Sequence, residues 1–321
     1  MTEHLYSFIA RERCGIEDAL RARLPLSSLP AARRLNEALD YAVFPGGKRL
    51  RPMLTLLASD LVRLPREHGL TIACAVEFLH SSSLILDDLP GMDDADMRRN
   101  RRTLHLAFGE GVATLAAVAL LNQSYALLAK AARACGQPGA VEALVSEATR
   151  CVGSDGMIGG QVVDLATRAG CADPDSLASR DLKTVALMRL MMTTGALACG
   201  AEERETRALA EFGECFGRAY QICDDLLDDT CGIEITGKTT SQDIRHMRAT
   251  AVTTFGKQEA KNLAFRLIEG ATIGLVEHFG ERAEVRLLAD SAYLVINRVK
   301  DYVPTGSSPI SSTPLSRRAL A

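Results

Sequence analysis

The chain has 321 residues, 47% hydrophobic and 5% aromatic with no Trp, and a formal net charge of −3. That length suits one large domain or two small ones, and the near-neutral balance supplies no global field for nucleic acid or a membrane surface. So few aromatics also argue against a protein that stacks nucleic-acid bases.

Apolar residues recur at three- and four-residue spacing nearly throughout, and no stretch alternates strictly. This predicts an all-α fold with no sheet. In chain order the predicted helices are 3–23, 31–44, 51–64, 70–89, 111–135, 139–153, 156–168, 174–200, 203–230, 242–270 and 281–301, with a break near 256. Pro25 and Pro30 flank a short linker, Pro45-Gly46-Gly47 is a turn, Gly136-Gln137-Pro138 closes one helix, and Asp173-Pro174 opens another. No repeat or long internal linker divides the chain. Residues 1–302 therefore read as one domain, and the Ser- and Pro-rich tail 303–321 is expected to be disordered. The apolar stretch 111–132 is broken by Asn122, Gln123 and Ser124 and reads as a buried helix, so no transmembrane segment is expected. Met1-Thr2-Glu3-His4 lacks a basic-then-apolar leader pattern. Nine Cys without a C-x-x-C pair read as reduced thiols of a cytoplasmic protein.

Two aspartate clusters, 137 residues apart, end apolar helical runs: Asp87-Asp88-Leu89-Pro90-Gly91-Met92-Asp93 and Asp224-Asp225-Leu226-Leu227-Asp228. Carboxylates this close repel one another and call for a counter-charge. Oxygen-only ligands suit a hard cation, and Mg²⁺ where phosphate is present. Asp224 and Asp228 share a helical face. Asp87 and Asp93 would be separated by about 240° around a regular helix, so unwinding at Pro90-Gly91 is needed to bring them together.

Cations accompany these clusters. Arg98-Arg99 and Arg101-Arg102 follow the first, and Gly46-Gly47-Lys48-Arg49-Leu50-Arg51-Pro52 precedes it. The two glycines are read as letting backbone approach an anion that Lys48 and Arg51 then reach. Lys183, Gly237-Lys238 and Arg248 add positive charge, and His80 and Gln221 lie on the helical runs that carry the clusters. Metal-bound diphosphate lying between the two signs of charge explains both.

In this order the motifs resemble the trans-isoprenyl diphosphate synthases, or polyprenyl synthetases. The resemblance is carried by Gly46–Pro52, His80–His105, Gly159-Gly160-Gln161 with Asp164, Lys183-Thr184 and Gly217–Asp243. It implies a single all-α bundle around a deep cavity, a homodimer, and head-to-tail condensation of isopentenyl diphosphate with a dimethylallyl, geranyl or farnesyl diphosphate. Asp87, Asp93 and Asp224 would hold Mg²⁺, three ions per site, with Asp88, Asp225 and Asp228 supporting. Arg98, Lys183, Lys238 and Arg248 would bind the allylic diphosphate. Lys48, Arg51, His80 and Arg99 would bind that of isopentenyl diphosphate. Thr184 and Gln221 would face the developing carbocation. The chain departs from the usual pattern at Asn100-Arg101-Arg102, where Gly-Lys-Pro is common, at Val185, where a small residue is frequent, and at Met247-Arg248, where Gly-Lys is common.

Product length in such enzymes depends on how far the chain descends below the first cluster. Ser82 lies five residues before Asp87, roughly 7.5 Å along a helix. In the family a bulky aromatic there, or one position later, stops growth at fifteen carbons. Ser82 and Ser83 are both small, which favours geranylgeranyl diphosphate, with Leu79 or Phe108 as a deeper floor. Alternatives are a farnesyl or longer product, a class I terpene cyclase, and a non-catalytic subunit of a partner synthase. The second cationic group argues against the cyclase, and the presence of both aspartate motifs argues against the non-catalytic subunit.

Overall fold

The apolar repeat resolves into helices joined mostly by short connections. A computed structural model describes residues 2–168, 182–230 and 251–298. Its helices are α1 (Thr2–Arg23), α2 (Arg33–Val43), α3 (Leu50–Leu61), α4 (Arg66–Asp87), α5 (Leu104–Phe108), α6 (Glu110–Cys135), α7 (Ala140–Val152) and α8 (Met157–Arg168). They continue with α9 (Leu182–Cys199), α10 (Glu203–Thr230), α11 (Ala251–Phe255), α12 (Lys257–Phe279) and α13 (Ala283–Asn297). The fold is all-α.

α4 is the hub. Ile72, Ala73, Cys74, Ala75, Val76, Phe78 and Leu79 are buried on every side of it, as expected of a helix apolar all round. It packs on α3 and α6; α9 packs on α3, α7 and α10, and α10 on α12. α4, α6 and α9 are long and apolar enough to cross a membrane by length and composition. In this bundle α4 and α9 bury 78% and 61% of their apolar windows, and α6 only 39%, leaving Leu115 and Val118 exposed.

Several boundaries differ from expectation for local reasons. α4 begins at Arg66, because Pro65 supplies the N-terminal turn ahead of any apolar repeat. α3 stops at Leu61 and the chain turns through Arg63 at φ 56°. α12 runs past Gly270 to Phe279, since burial of Ile268, Ala271 and Leu275 outweighs the weak helix preference of one exposed glycine. The expected break at 256 is present, with Gly256 at φ 80° between α11 and α12. The expectation of no sheet is corrected by a short antiparallel ribbon, β1 (Met97–Arg98) with β2 (Arg101–Arg102). Two-residue strands are too short to show alternation. The expected start of the eighth helix at 174, residues 242–250 and the tail from 303 lie outside the described residues.

Candidate active site

α4 ends at Asp87 with Asp88 as its C-cap. Pro90 has no amide hydrogen to continue the ladder and disfavours helical backbone at Leu89. The chain instead curls back: Asp93 N–H donates to Asp87 O at 2.8 Å, Asp94 N–H to Leu89 O at 3.1 Å, and Ala95 N–H to Asp88 O at 3.2 Å. This is the unwinding that the sequence requires, and it sets Asp93 beside Asp87. Burial and the Asp93 charge push the Asp87 carboxyl up, and Lys183 opposes them. Lys183 Nζ lies 2.6 Å from Asp87 Oδ2 and donates to Gln161 Oε1 at 2.7 Å. Arg98 grips Asp88 as a fork, Nε at 2.7 Å from Oδ2 and Nη2 at 2.6 Å from Oδ1. Asp88 therefore orients Arg98, which fits a supporting rather than a liganding carboxylate.

The second cluster lies on α10, which stays helical through Thr230. Thr184 Oγ donates to Gln221 Oε1 at 3.3 Å, and Gln221 Nε2 donates to Asp225 Oδ1 at 3.1 Å. The close approach of α9 and α10 makes this possible. A Cβ on Gly217 would stand 2.8 Å from Val185 Cα, so only glycine fits one turn before Gln221. The same contact explains how this chain carries Val185 where a small residue is frequent. Lys183 and Thr184 are consecutive, so one turn of α9 links both helix ends, Asp87 through the lysine and Asp225 through the threonine and Gln221.

The two glycines make room for side chains of this chain. Arg49, at φ 52° ahead of α3, turns its side chain fully inward. It donates to Glu17 Oε1 at 2.8 Å, Glu77 Oε1 at 2.5 Å and Val43 O at 2.8 Å. A Cβ on Gly46 would overlap the Arg49 guanidinium, and one on Gly47 would lie 3.3 Å from the Cζ of Arg99. The glycines admit two guanidinium groups. Sequence reasoning missed Arg49 as a structural residue, and nothing in its motif separates it from Lys48 and Arg51.

Charge at this loop is not balanced. Arg51 Nε is buried without a hydrogen-bond partner, and Arg99 has no ion pair among the described residues. Burial first, then Arg51, Arg99, Arg98 and Lys183, hold His80 well below the usual histidine pKa, so its ring is neutral at pH 7. The structure thus gathers Arg51, His80 and Arg99 at one place, with exposed Lys48 on the adjoining loop. A cationic surface short of partners is a site for a polyanion.

The chain-length candidates divide between faces of α4. Ser83, four residues before Asp87, shares its face and is half-buried. Ser82 is buried and donates to Ala117 O of α6 at 2.8 Å. Leu79 is buried in the core. Phe108 packs edge-on against Tyr41 at 5.4 Å, on the α2 side. Lys238 and Arg248 lie outside the described residues, as does the Asp228 side chain.

Among the described residues no three Asp, Glu, His or Cys side chains form a metal cage. The donor set still fits Mg²⁺, which takes one or two carboxylates and completes its shell with water and phosphate oxygens. Asp87 and Asp93, drawn together by the turn after α4, offer carboxylates of that kind. Three of the thiols are held protonated: burial pushes Cys74, Cys151 and Cys223 up to about 12.

Comparison with known proteins places this geometry among relatives. The polyprenyl synthetase family profile matches residues 32–272. The chain is 33% identical over 294 residues to geranylgeranyl pyrophosphate synthase 11 of Arabidopsis thaliana, covering 90% of this chain and 81% of that one. Its fold matches an apo FPP/GFPP synthase of Zymomonas mobilis with TM-score 0.78 and 30% identity, over 92% of this chain and 100% of that one. It also matches the geranyltransferase of Helicobacter pylori in complex with magnesium and isoprenyl diphosphate, with TM-score 0.72 and 29% identity, over 92% and 97% of the two chains.

Proposed function

The chain belongs to the polyprenyl synthetase family, and on that premise we propose that it joins isopentenyl diphosphate head to tail to an allylic diphosphate and releases geranylgeranyl diphosphate. It is a magnesium-dependent trans-prenyltransferase. The observation that carries this reading is the α9 turn Lys183-Thr184, which bonds to the first aspartate cluster on one side and reaches the second through Gln221.

Asp87, Asp93 and Asp224 would hold the metal, with Asp88, Asp225 and Asp228 behind them. Bound there, Mg²⁺ supplies Lewis-acid stabilisation of the departing diphosphate. Arg98 and Lys183, with Lys238 and Arg248, take the allylic diphosphate. Lys48, Arg51 and Arg99 take that of isopentenyl diphosphate, and neutral His80 offers it an N–H. As the allylic C–O bond lengthens, negative charge grows on the diphosphate oxygens, where Lys183 and Arg98 would meet it. Positive charge grows on the allylic carbon. The Thr184 hydroxyl donates its hydrogen bond to Gln221, so its lone pairs remain to face that carbon. The double bond of isopentenyl diphosphate attacks, and a proton leaves the adjacent carbon for the departing diphosphate. Positioning and charge carry the rate, and no protein nucleophile is needed.

Small Ser82 and Ser83 support growth beyond fifteen carbons. The proposal extends to three Mg²⁺ ions per site, a homodimer and a cytoplasmic location. The exposed Leu115 and Val118 of α6 support the homodimer, and the free thiols support the location. Initial velocities measured with both substrates varied, before and after chelation, test the reading. Turnover should need both diphosphates, vanish with chelator and return with Mg²⁺; turnover of the allylic diphosphate alone would overturn it.

A further inference from the structure

The ribbon that carries Arg98 and Arg99 is fastened to the loop that carries Lys48 by one side chain with no assigned role. Arg101 stacks on the Tyr41 ring, its Cζ 3.7 Å from the ring centre. Its Nη1 donates to Phe44 O at 2.9 Å, directly before Pro45-Gly46-Gly47. The Tyr41 hydroxyl returns a bond to Arg102 O at 2.9 Å. α2, the glycine loop and the ribbon are thereby tied at a single point.

The ribbon tip shows what the tie controls. Arg98 pairs with Arg101 across β1 and β2, leaving Arg99 and Asn100 as a two-residue turn. Both have positive φ, 52° and 61°. Asn accepts that region readily, whereas Arg adopts it at a cost, so the surrounding contacts must fix it. The Arg99 guanidinium then lies against Gly47, next to Lys48.

We propose that Arg101 and Tyr41 are positioning residues for the isopentenyl diphosphate site, fixing the Arg99–Lys48 spacing without touching substrate. The inference rests on the reading of Arg99 and Lys48 as binders of that diphosphate. Arg98 also rides on the ribbon, but its fork to Asp88 anchors it independently. The effect is therefore selective for one substrate.

Steady-state constants for both substrates, with melting temperature, test this in Arg101→Gln, Arg101→Lys, Tyr41→Leu, Tyr41→Phe, Arg99→Gln and Arg102→Gln. Arg101→Gln and Tyr41→Leu should raise the isopentenyl diphosphate KM roughly tenfold, with the allylic KM and melting temperature close to wild type. Arg101→Lys and Tyr41→Phe should recover part of the loss, and Arg102→Gln should change nothing. If Arg99→Gln raises that KM and Arg101→Gln does not, the positioning role is wrong. An unchanged KM in Arg99→Gln would remove the site reading beneath it. Equal rises in both KM values with a lower melting temperature would make the tie a stability element only.

Discussion

Lys183 Nζ stands 2.6 Å from Asp87 Oδ2, so a cation from α9 meets the carboxylate that ends α4. Removing it leaves Asp87 and Asp93 to repel each other and takes one positive charge from the leaving diphosphate. Lys183→Ala should lower kcat by about 10²–10³-fold, the range found when one charge-stabilising donor is lost. The folded fraction by circular dichroism should stay near wild type. A kcat within twofold of wild type would remove Lys183 from the transition state.

Gly217 sets the approach of α9 to α10. A Cβ there meets Val185 Cα, which is backbone-bound and cannot swing aside. Gly217→Val should cost about 1–3 kcal/mol of stability by overpacking and separate Thr184 from Gln221, lowering kcat with it. Denaturant midpoints and kcat for Gly217→Val and the pair Gly217→Val/Val185→Ala check this. The second change removes Val185 Cγ2, 3.2 Å from that Cβ, and should restore part of both.

Arg49 and Glu77 form a buried ion pair under the glycine loop, with side chains 0% and 3% exposed. Arg49→Ala strands the Glu77 charge and should cost about 3–5 kcal/mol in urea unfolding. Arg49→Met with Glu77→Leu should recover part of that loss, because only Glu17, whose side chain is 24% exposed, then loses its partner. A single variant as stable as wild type would contradict the buried pair.

Asp60 gives a pH signature away from the site. Burial, then the charge of Glu284, pushes its carboxyl up to about 6 against Arg11 and Arg282. The folded state therefore binds this proton more tightly than the unfolded state, whose pKa is near 3.8. Its ionisation weighs against folding in full above pH 6, and the penalty fades as pH falls from 6 towards 4. Asp60→Asn should raise the urea midpoint relative to wild type at pH 7.5, and the difference should shrink at pH 4.5. A constant difference across that range would refute the shift.

Ser82 is buried between α4 and α6, where its hydroxyl meets Ala117 O. Ser82→Phe introduces a ring at that seam and should shift the main product to fifteen carbons. Chromatography of the dephosphorylated alcohols reads this directly. Unchanged length would place the floor elsewhere.

Much of this was legible in the sequence, because helical periodicity is dense and the aspartate and basic motifs are specific together. The turn at Pro90-Gly91 was readable from those two residues together with the mismatch of about 240° between Asp87 and Asp93. The ribbon was not, since its two strands have two residues each. Arg49 was not, because its fate depends on Glu17 and Glu77, 32 and 28 residues away, and no local pattern announces their burial. The glycine pair signalled a close approach, and the structure shows guanidinium groups of the same chain making it. The α9–α10 link was partly visible, since Lys183-Thr184 and Gln221 were singled out, but their hydrogen bond depends on the Gly217 contact.

The central claim is chain elongation, and one incubation tests it. Purified protein, Mg²⁺, labelled isopentenyl diphosphate and farnesyl diphosphate are combined, and the dephosphorylated products are resolved by length. A dominant twenty-carbon alcohol is the predicted result. No elongation with farnesyl, geranyl or dimethylallyl diphosphate would contradict it.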